Sequence, residues 1–275
     1  MAKSRLNFKD LGPPRGACPS LGAALLDFKA FVRAHANIAP GIYNSQHGVR
    51  VLLHSFSGKV HDSDLLAVRT VLSGPEAPLF VDVGGNIGQS VVSLKTMFPH
   101  CTIHSFEPNP VTYRNLAMVA RRYRDVFAHN IALGAEDGVL RLHVPSCQGV
   151  AFHQLASTLP PNPQDLIAFL HARDFRWVRA EDIHIEEFNV PVRSLDSFGL
   201  SPAFIKVDVE GAELSFLKGA YATLARSKAP LLIERHDLEG VSAFLAPLGY
   251  SAWRHDGAAW RQDDLETEVN VFFRA

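Results

Sequence analysis

The sequence predicts an α/β protein: a mostly parallel β-sheet, helices on both faces, and an antiparallel edge strand. Three observations carry this. From residue 79 onward, short apolar runs alternate with longer segments of helical spacing, the rhythm of parallel strands joined by crossover helices. The chain has 275 residues, 47% of them hydrophobic, enough for one large domain with a substantial core. The last two apolar pieces, YSAWRH (250–255) and EVNVFF (268–273), read as an antiparallel edge.

Residues 1–20 hold Pro13, Pro14 and Pro19 among glycines and charges and read as an irregular lead-in. LGAALLDFKAFVRAHA (21–36) has helical spacing that PGIYN breaks, and VRVLL (49–53) suits a short strand. Residues 1–60 are therefore expected to be a partly helical extension packing on a main domain at 61–275. HDSDLLAVRTVLSG (61–74) reads as a helix capped by Asp62 or Ser63 and closed by Gly74.

The alternation then runs in order. LFVDV (79–83) is a strand, NIGQSVVSLKTMF (86–98) a helix, CTIHSF (101–106) a strand and VTYRNLAMVARRYR (111–124) a helix. VFAHNIAL (126–133) is a third strand and, after the turn EDG, VLRLHV (139–144) a fourth. AFIKVDV (203–209), AELSFLKGAYATLAR (212–226), PLLIER (230–235) and LEGVSAFLAPLG (238–249) continue as strand, helix, strand and helix. The segment at about 145–190 departs from this rhythm, with four prolines between 145 and 163. It reads as an insertion over the sheet, whose Phe169, Phe175 and Trp177 either line an acceptor pocket or cover the sheet.

Several classes are excluded. The net charge of −1 gives no basic excess for nucleic acid. No apolar run reaches the ~18 residues of a membrane span, and the N-terminus lacks the apolar stretch of a signal peptide. Three widely spaced cysteines, Cys18, Cys101 and Cys147, make a disulfide framework improbable. A cytoplasmic protein is expected; its oligomeric state is left open.

VDVGGNIG (81–88) sits where a doubly wound sheet binds ligands, outside the carboxyl end of a strand. Its glycines at 84, 85 and 88 do not fit the dinucleotide fingerprint, and a pyrophosphate beside Asp82 would meet like charge. Glu107 ends the next strand 19 residues after Gly88, the spacing at which an acid commonly holds ribose hydroxyls. A nucleoside with a cationic end satisfies both features, and S-adenosylmethionine (SAM) is such a molecule.

FVDVGGNIGQS (80–90), SFEPNP (105–110), IALGAEDGVLRLHV (131–144), VPVRSLDSF (190–198), FIKVDVEGAELSFLKGA (204–220) and LLIERH (231–236) together resemble the FkbM-type SAM-dependent methyltransferases. The family usually carries Ala where Gly85 stands. The resemblance covers roughly residues 60–275 and implies a Rossmann-like class I methyltransferase fold, acting typically on a hydroxyl oxygen of sugars or polyketide-type natural products. Carried over by position, Asp82, Gly84, Gly85, Asn86, Gly88, Gln89 and Ser90 would form the methionine-side loop. Glu107 would hold the ribose, Pro108 and Asn109 would shape the neighbouring turn, and Asn130 and Ala132 would lie near the adenine.

Strand periodicity puts Lys206 and Asp208 on one face, with Glu210 beyond and Glu234 and His236 ending the next strand at the same edge. Methyl transfer to an alcohol calls for a general base. His236 suits the role, Asp208 is its rival, and a third arrangement has Asp208, Glu210 and Glu234 holding Mg²⁺. The expected function is therefore SAM-dependent methylation of a small-molecule hydroxyl. An N-methyltransferase, a non-catalytic SAM-binding module and an NAD-linked oxidoreductase are the alternatives.

Overall fold

The computed structural model describes residues 60–72, 77–173 and 175–275. The expected helix at 21–36, the strand at 49–53, the closing Gly74 and the packing of the 1–60 extension lie outside the described residues. Asp62 caps the first described turn, accepting the Asp64 backbone N–H at 2.9 Å. The 3-10 turn Ser63–Ala67 then runs into the short helix α1 (Val68–Val71).

The alternation that follows is β1 (Leu79–Val83), α2 (Gln89–Met97), β2 (Thr102–Phe106), α3 (Pro110–Ala120) and β3 (Val126–His129). After a second, smaller sheet it resumes with β8 (Phe204–Val207), α5 (Glu213–Gly219), α6 (Tyr221–Ser227), β9 (Leu231–Glu234) and α7 (Leu238–Leu245). β10 (Ser251–His255), β11 (Trp260–Arg261) and β12 (Asn270–Arg274) close the chain. The main sheet has the order β11-β10-β12-β9-β8-β1-β2-β3. From β3 through β9 every pairing is parallel. The two C-terminal pieces do pair antiparallel, but β12 slots between β9 and β10, and the edge itself is β11, antiparallel to β10. This is a doubly wound, Rossmann-like arrangement, with strand order diverging on either side of β1.

Strands buried on both faces explain the near-continuous apolar runs. Phe80, Ile103, Phe204, Leu232 and Phe272 point to the face covered by α1, α2 and α3. Val81, Val83, Ile205, Val207 and Ile233 point to the face covered by α5, α6 and α7. Phe80, fully buried, packs edge-on against Phe98 and Phe204 at centroid distances of 5.2 and 5.9 Å. Among the described residues no helix is long and apolar enough to cross a membrane. Cys101 and Cys147 are buried free thiols.

Two single elements of the sequence reading are divided. VFAHNIAL breaks after His129, because the Asn130 side chain donates back to the carbonyls of Glu107 and Pro108. The remainder, β4 (Ala132–Leu133), joins a second sheet of order β4-β7-β5-β6 with β5 (Gly138–Cys147), β6 (Val150–Ala151) and β7 (Ile183–Arg193). VLRLHV thus lies within β5, outside the main sheet, antiparallel to β7. The 15-residue helix AELSFLKGAYATLAR parts at Gly219–Ala220 into α5 and α6. A glycine in a helix interior is poorly held, and Asp196 reaches from a distant turn to accept the Ala222 and Thr223 N–H groups that open α6, at 3.0 and 2.7 Å.

The 145–190 segment supplies α4 (Pro163–His171) and much of the second sheet. It has a small core of its own, in which Cys147, Val150, Phe152, Leu166, Leu170, Phe175 and Val178 are buried. Phe175 is part of that core and Trp177 packs against it, while Phe169 lies outward beneath the Arg173 guanidinium, 3.5 Å from the ring centre. These aromatics consolidate the insertion.

Candidate active site at the carboxyl edge of the sheet

The order of the sheet makes β1 and β8 neighbours while their connecting segments depart in opposite directions, which opens a crevice at their carboxyl ends. The loop after β1 folds around two carboxylates. Asp82 is completely buried; its Oδ2 accepts the hydroxyls of Ser90 and Ser105, each at 2.7 Å. Its Oδ1 is buried with no protein donor. Glu107, 7% exposed, accepts the Asn86 N–H on Oε2 at 2.7 Å, and the Asn109 N–H and Thr112 hydroxyl on Oε1 at 2.9 Å each. Burial raises the Glu107 pKa above the usual carboxylate range, with these three donors pulling the other way.

The loop is tied down further by the Gly84 and Gly85 N–H groups, which both donate to the Phe106 carbonyl at 2.9 Å. Gly84 has φ +83°, and a side chain there would run into the Asp208 carbonyl. Gly85 has a different reason: a methyl group would meet the Ser105 hydroxyl. The missing side chain leaves space for the Ser105–Asp82 hydrogen bond. Gly85→Ala is expected to cost about 1–3 kcal/mol by overpacking. Adding Ser105→Ala is expected to recover part of the lost melting temperature, which thermal denaturation of the two single variants and the double variant checks. Strict additivity would remove Ser105 as the cause.

Gly88 opens α2 in a left-handed conformation, and no side chain caps that helix. Gln89 and Ser90 form its first turn, with Ser90 held on Asp82. Asn109 caps α3, accepting the Val111 N–H at 3.0 Å, and Pro108 precedes it. Asn130 stays near this turn through its bonds to Glu107 and Pro108. Ala132 is turned into the small core of the second sheet with Leu142, Val144 and Val190.

The second cluster lies beside the first, because Asp82 pairs with Lys206 in the β1–β8 register. Lys206 is 5% exposed and its ammonium lies 2.9 Å from Asp208 Oδ2. Burial works against that charge, but the Asp208 and Asp82 carboxylates outweigh it and the Lys206 pKa is raised. For Asp208 burial likewise works against ionisation; the Lys206 charge and a hydrogen bond from Glu234 overcome it and lower the pKa. Glu234 goes the opposite way, pushed up to about 8 by burial, its bond to Asp208 and the nearby charges of Asp208 and Glu210. Two carboxylates this close favour holding one proton between them over ionising both.

That proton has a consequence for stability. Between about pH 4.5 and about 8 the unfolded chain has released it while the folded protein keeps it. Folding then takes up a proton, so stability falls as pH rises through this window. Asp208 acts only at lower pH, below its ordinary value of 3.8. Glu234→Gln is expected to flatten the decline in melting temperature between about pH 6 and 8.5; an unchanged slope would refute the shared proton.

His236 lies just past β9, with Nδ1 3.2 Å from Glu213 Oε1 and Nε2 3.7 Å from Glu210 Oε2. Glu213 was missed by the sequence reading, which followed strand alternation only as far as Glu210. A shallow pocket adjoins this histidine, lined by Ile233, Glu234, His236, Leu238, Val271 and Phe273 among others. Glu210, Glu234 and His236 bring one ligand atom each within 4.8 Å of one another. Asp208, expected in a Mg²⁺ set, is instead engaged by Lys206.

Residues 82–252, more than half of the chain, match the sequence profile of the methyltransferase FkbM domain. The chain belongs to the FkbM methyltransferase family. It is 29% identical over 151 residues to Methyltransferase 1 of Beauveria bassiana (strain ARSEF 2860), across 53% of this chain and 59% of that protein. It is 29% identical over 219 residues to Methyltransferase sdnD of Sordaria araneosa, across 70% of this chain and 80% of that protein. A crystal structure of methyltransferase FkbM from Methylobacillus flagellatus KT superposes with a TM-score of 0.49 at 20% identity, over 75% of this chain and 45% of that one. The chain thus spans less than two thirds of the Beauveria protein and less than half of the Methylobacillus one.

Proposed function

We propose that this FkbM methyltransferase uses SAM to methylate a hydroxyl oxygen of a small molecule, of sugar or polyketide type. The observation that carries the reading is the contact between two halves of one crevice. Gly84, in the loop after β1, abuts the Asp208 carbonyl, where the ionisable cluster of β8 and β9 begins. A nucleoside loop and a set of proton-handling groups thus meet at one point.

The residues of the loop fit SAM. A carboxylate has about four acceptor positions; protein donors fill three on Glu107, leaving one on Oε2 for a ribose hydroxyl. Asp82 Oδ1, buried without a donor, is an acceptor suited to a cationic group. The uncapped start of α2 offers backbone N–H groups to a carboxylate. NAD is disfavoured, because its pyrophosphate would face the buried Asp82 anion across the same loop.

SAM, when bound, supplies an electrophilic methyl group on a sulfonium. With that methyl group transferred to the acceptor oxygen and the demethylated sulfur compound as the leaving group, His236 Nε2 would take the proton that the hydroxyl gives up. Asp208 is a weaker base, since Lys206 and Glu234 both stabilise its ionised form. Mg²⁺ is left out of this reading: Lys206 neutralises Asp208, and the remaining set of two carboxylates and an imidazole suits a transition ion better than a hard cation. A cytoplasmic setting accords with the free thiols Cys101 and Cys147.

Calorimetric titration with SAM, S-adenosylhomocysteine and NAD tests the cofactor. Low-micromolar or tighter binding of the first two and none of NAD is expected. An isotope-labelled methyl transfer assay against panels of sugars, polyketide-type alcohols and amines then tests the acceptor. Binding of NAD alone, or transfer only to amines, would overturn the corresponding half.

A further inference from the structure

Glu213 is a carboxylate in an expensive place. It is 2% exposed, and an ionised group removed from water needs close partners. It has two: the Gly211 N–H, donating to Oε1 at 3.0 Å, and His236 Nδ1, 3.2 Å from the same oxygen. The backbone arranges this. Glu210 and Gly211 both take left-handed conformations, φ +51° and +97°, which turn the chain back after β8 so that the first residue of α5 faces the end of β9. The other ring nitrogen has a different surrounding. Nε2 lies 3.7 Å from the 63%-exposed Glu210, on a side chain that is itself 35% exposed, and Glu234 is the other carboxylate grouped with this histidine.

We propose that Glu213 is a positioning residue for the methyl transfer: it accepts the Nδ1–H of His236 and so fixes the ring in the tautomer whose Nε2 is free to take the acceptor's proton. This inference rests on the reading of His236 as the base. The nitrogen of a histidine that carries the proton is set by the hydrogen bond made at the other. A buried acceptor at Nδ1 selects one tautomer and one ring orientation together, leaving the basic nitrogen on the accessible side. The same contact stabilises the imidazolium that forms when the proton arrives. Glu210, on the solvent side, is too exposed and too distant to hold the ring in this way.

The test is the tautomer itself, read by long-range ¹H–¹⁵N NMR on the full chain at a pH where the ring is neutral, with the signal assigned through its loss in His236→Gln. The wild type is expected to carry the proton on Nδ1. In Glu213→Leu, which removes the acceptor at Nδ1, the population is expected to move toward Nε2–H, with turnover falling about a hundredfold, the cost typical of a misplaced catalytic group, while the SAM KM changes less than about threefold. Glu213→Asp is expected to restore part of the turnover. A wild-type ring protonated on Nε2 overturns the inference even if no Glu213 variant folds, and so does full turnover in a folded Glu213→Leu. Full turnover in His236→Gln removes the base and this inference with it, whereas an active wild type with the wrong tautomer removes the inference alone.

Discussion

His236→Ala is expected to lower kcat by roughly a hundredfold to ten-thousandfold while leaving SAM affinity within about threefold. An alcohol is a poor nucleophile, and its proton must leave as the new bond forms. A group that takes this proton acts only in the transition state, so its loss lowers kcat without weakening ground-state binding of the cofactor. The geometry explains why the loss should fall on His236. Asp208 is ionised, but Lys206 at 2.9 Å and the proton of Glu234 both lower its basicity. Glu234 holds its proton to about pH 8, and Glu210 is exposed. Initial-rate kinetics over a range of SAM and acceptor concentrations, alongside calorimetry of the same variant, separate the two quantities. A variant that keeps more than a third of wild-type turnover would show that positioning alone drives the reaction and that the imidazole is a bystander.

The legible parts of the fold were those written in periodicity. β1, β2, β8 and β9 are short apolar runs with both faces buried, and each stands where its run ends within a residue or two. The breaks were less legible because they depend on partners distant in sequence. Nothing in AELSFLKGAYATLAR reveals that Asp196 will satisfy the opening N–H groups of a second helix. Nothing in VFAHNIAL reveals that Asn130 will bond the turn after β2. The insertion was visible as a change of rhythm, but its hairpin was hidden, since β7 alternates between exposed and half-buried residues and contains Pro191. At the site, Asp82, Glu107, Lys206, Asp208, Glu234 and His236 stood out because each ends a strand at one edge. Glu213 did not, because it opens a helix and reaches the cluster only through the left-handed turn at Glu210 and Gly211. Ser105 was hidden too: an alternating strand position becomes a partner of Asp82 only when β2 lies beside β1.

Glu107→Ala is expected to weaken SAM binding by roughly tenfold to a hundredfold, the loss of charge-assisted hydrogen bonds of about 1.5–3 kcal/mol. Two effects combine. The ribose loses its acceptor on Oε2, and the loop loses the anchor that fixes the Asn86 N–H. The second effect has its own signature. The Asn109 N–H and the Thr112 hydroxyl are buried donors that share Oε1; the hydroxyl can turn to the Asn109 carbonyl at 3.1 Å, but the N–H is left without an acceptor, at a cost of about 1–3 kcal/mol. The variant should therefore also melt several degrees lower, at about 2–4 °C per kcal/mol for a domain of this size. Glu107→Gln separates the contributions. Its amide oxygen can still serve Asn109 and Thr112, so stability should largely return, but its NH₂ then faces the Asn86 N–H, donor against donor, and offers the ribose no acceptor. Calorimetry well below the melting temperature should find Gln nearly as weak a binder as Ala while melting close to the wild type. If Gln restores binding along with stability, Glu107 serves the loop alone, and the ribose is held elsewhere in the crevice.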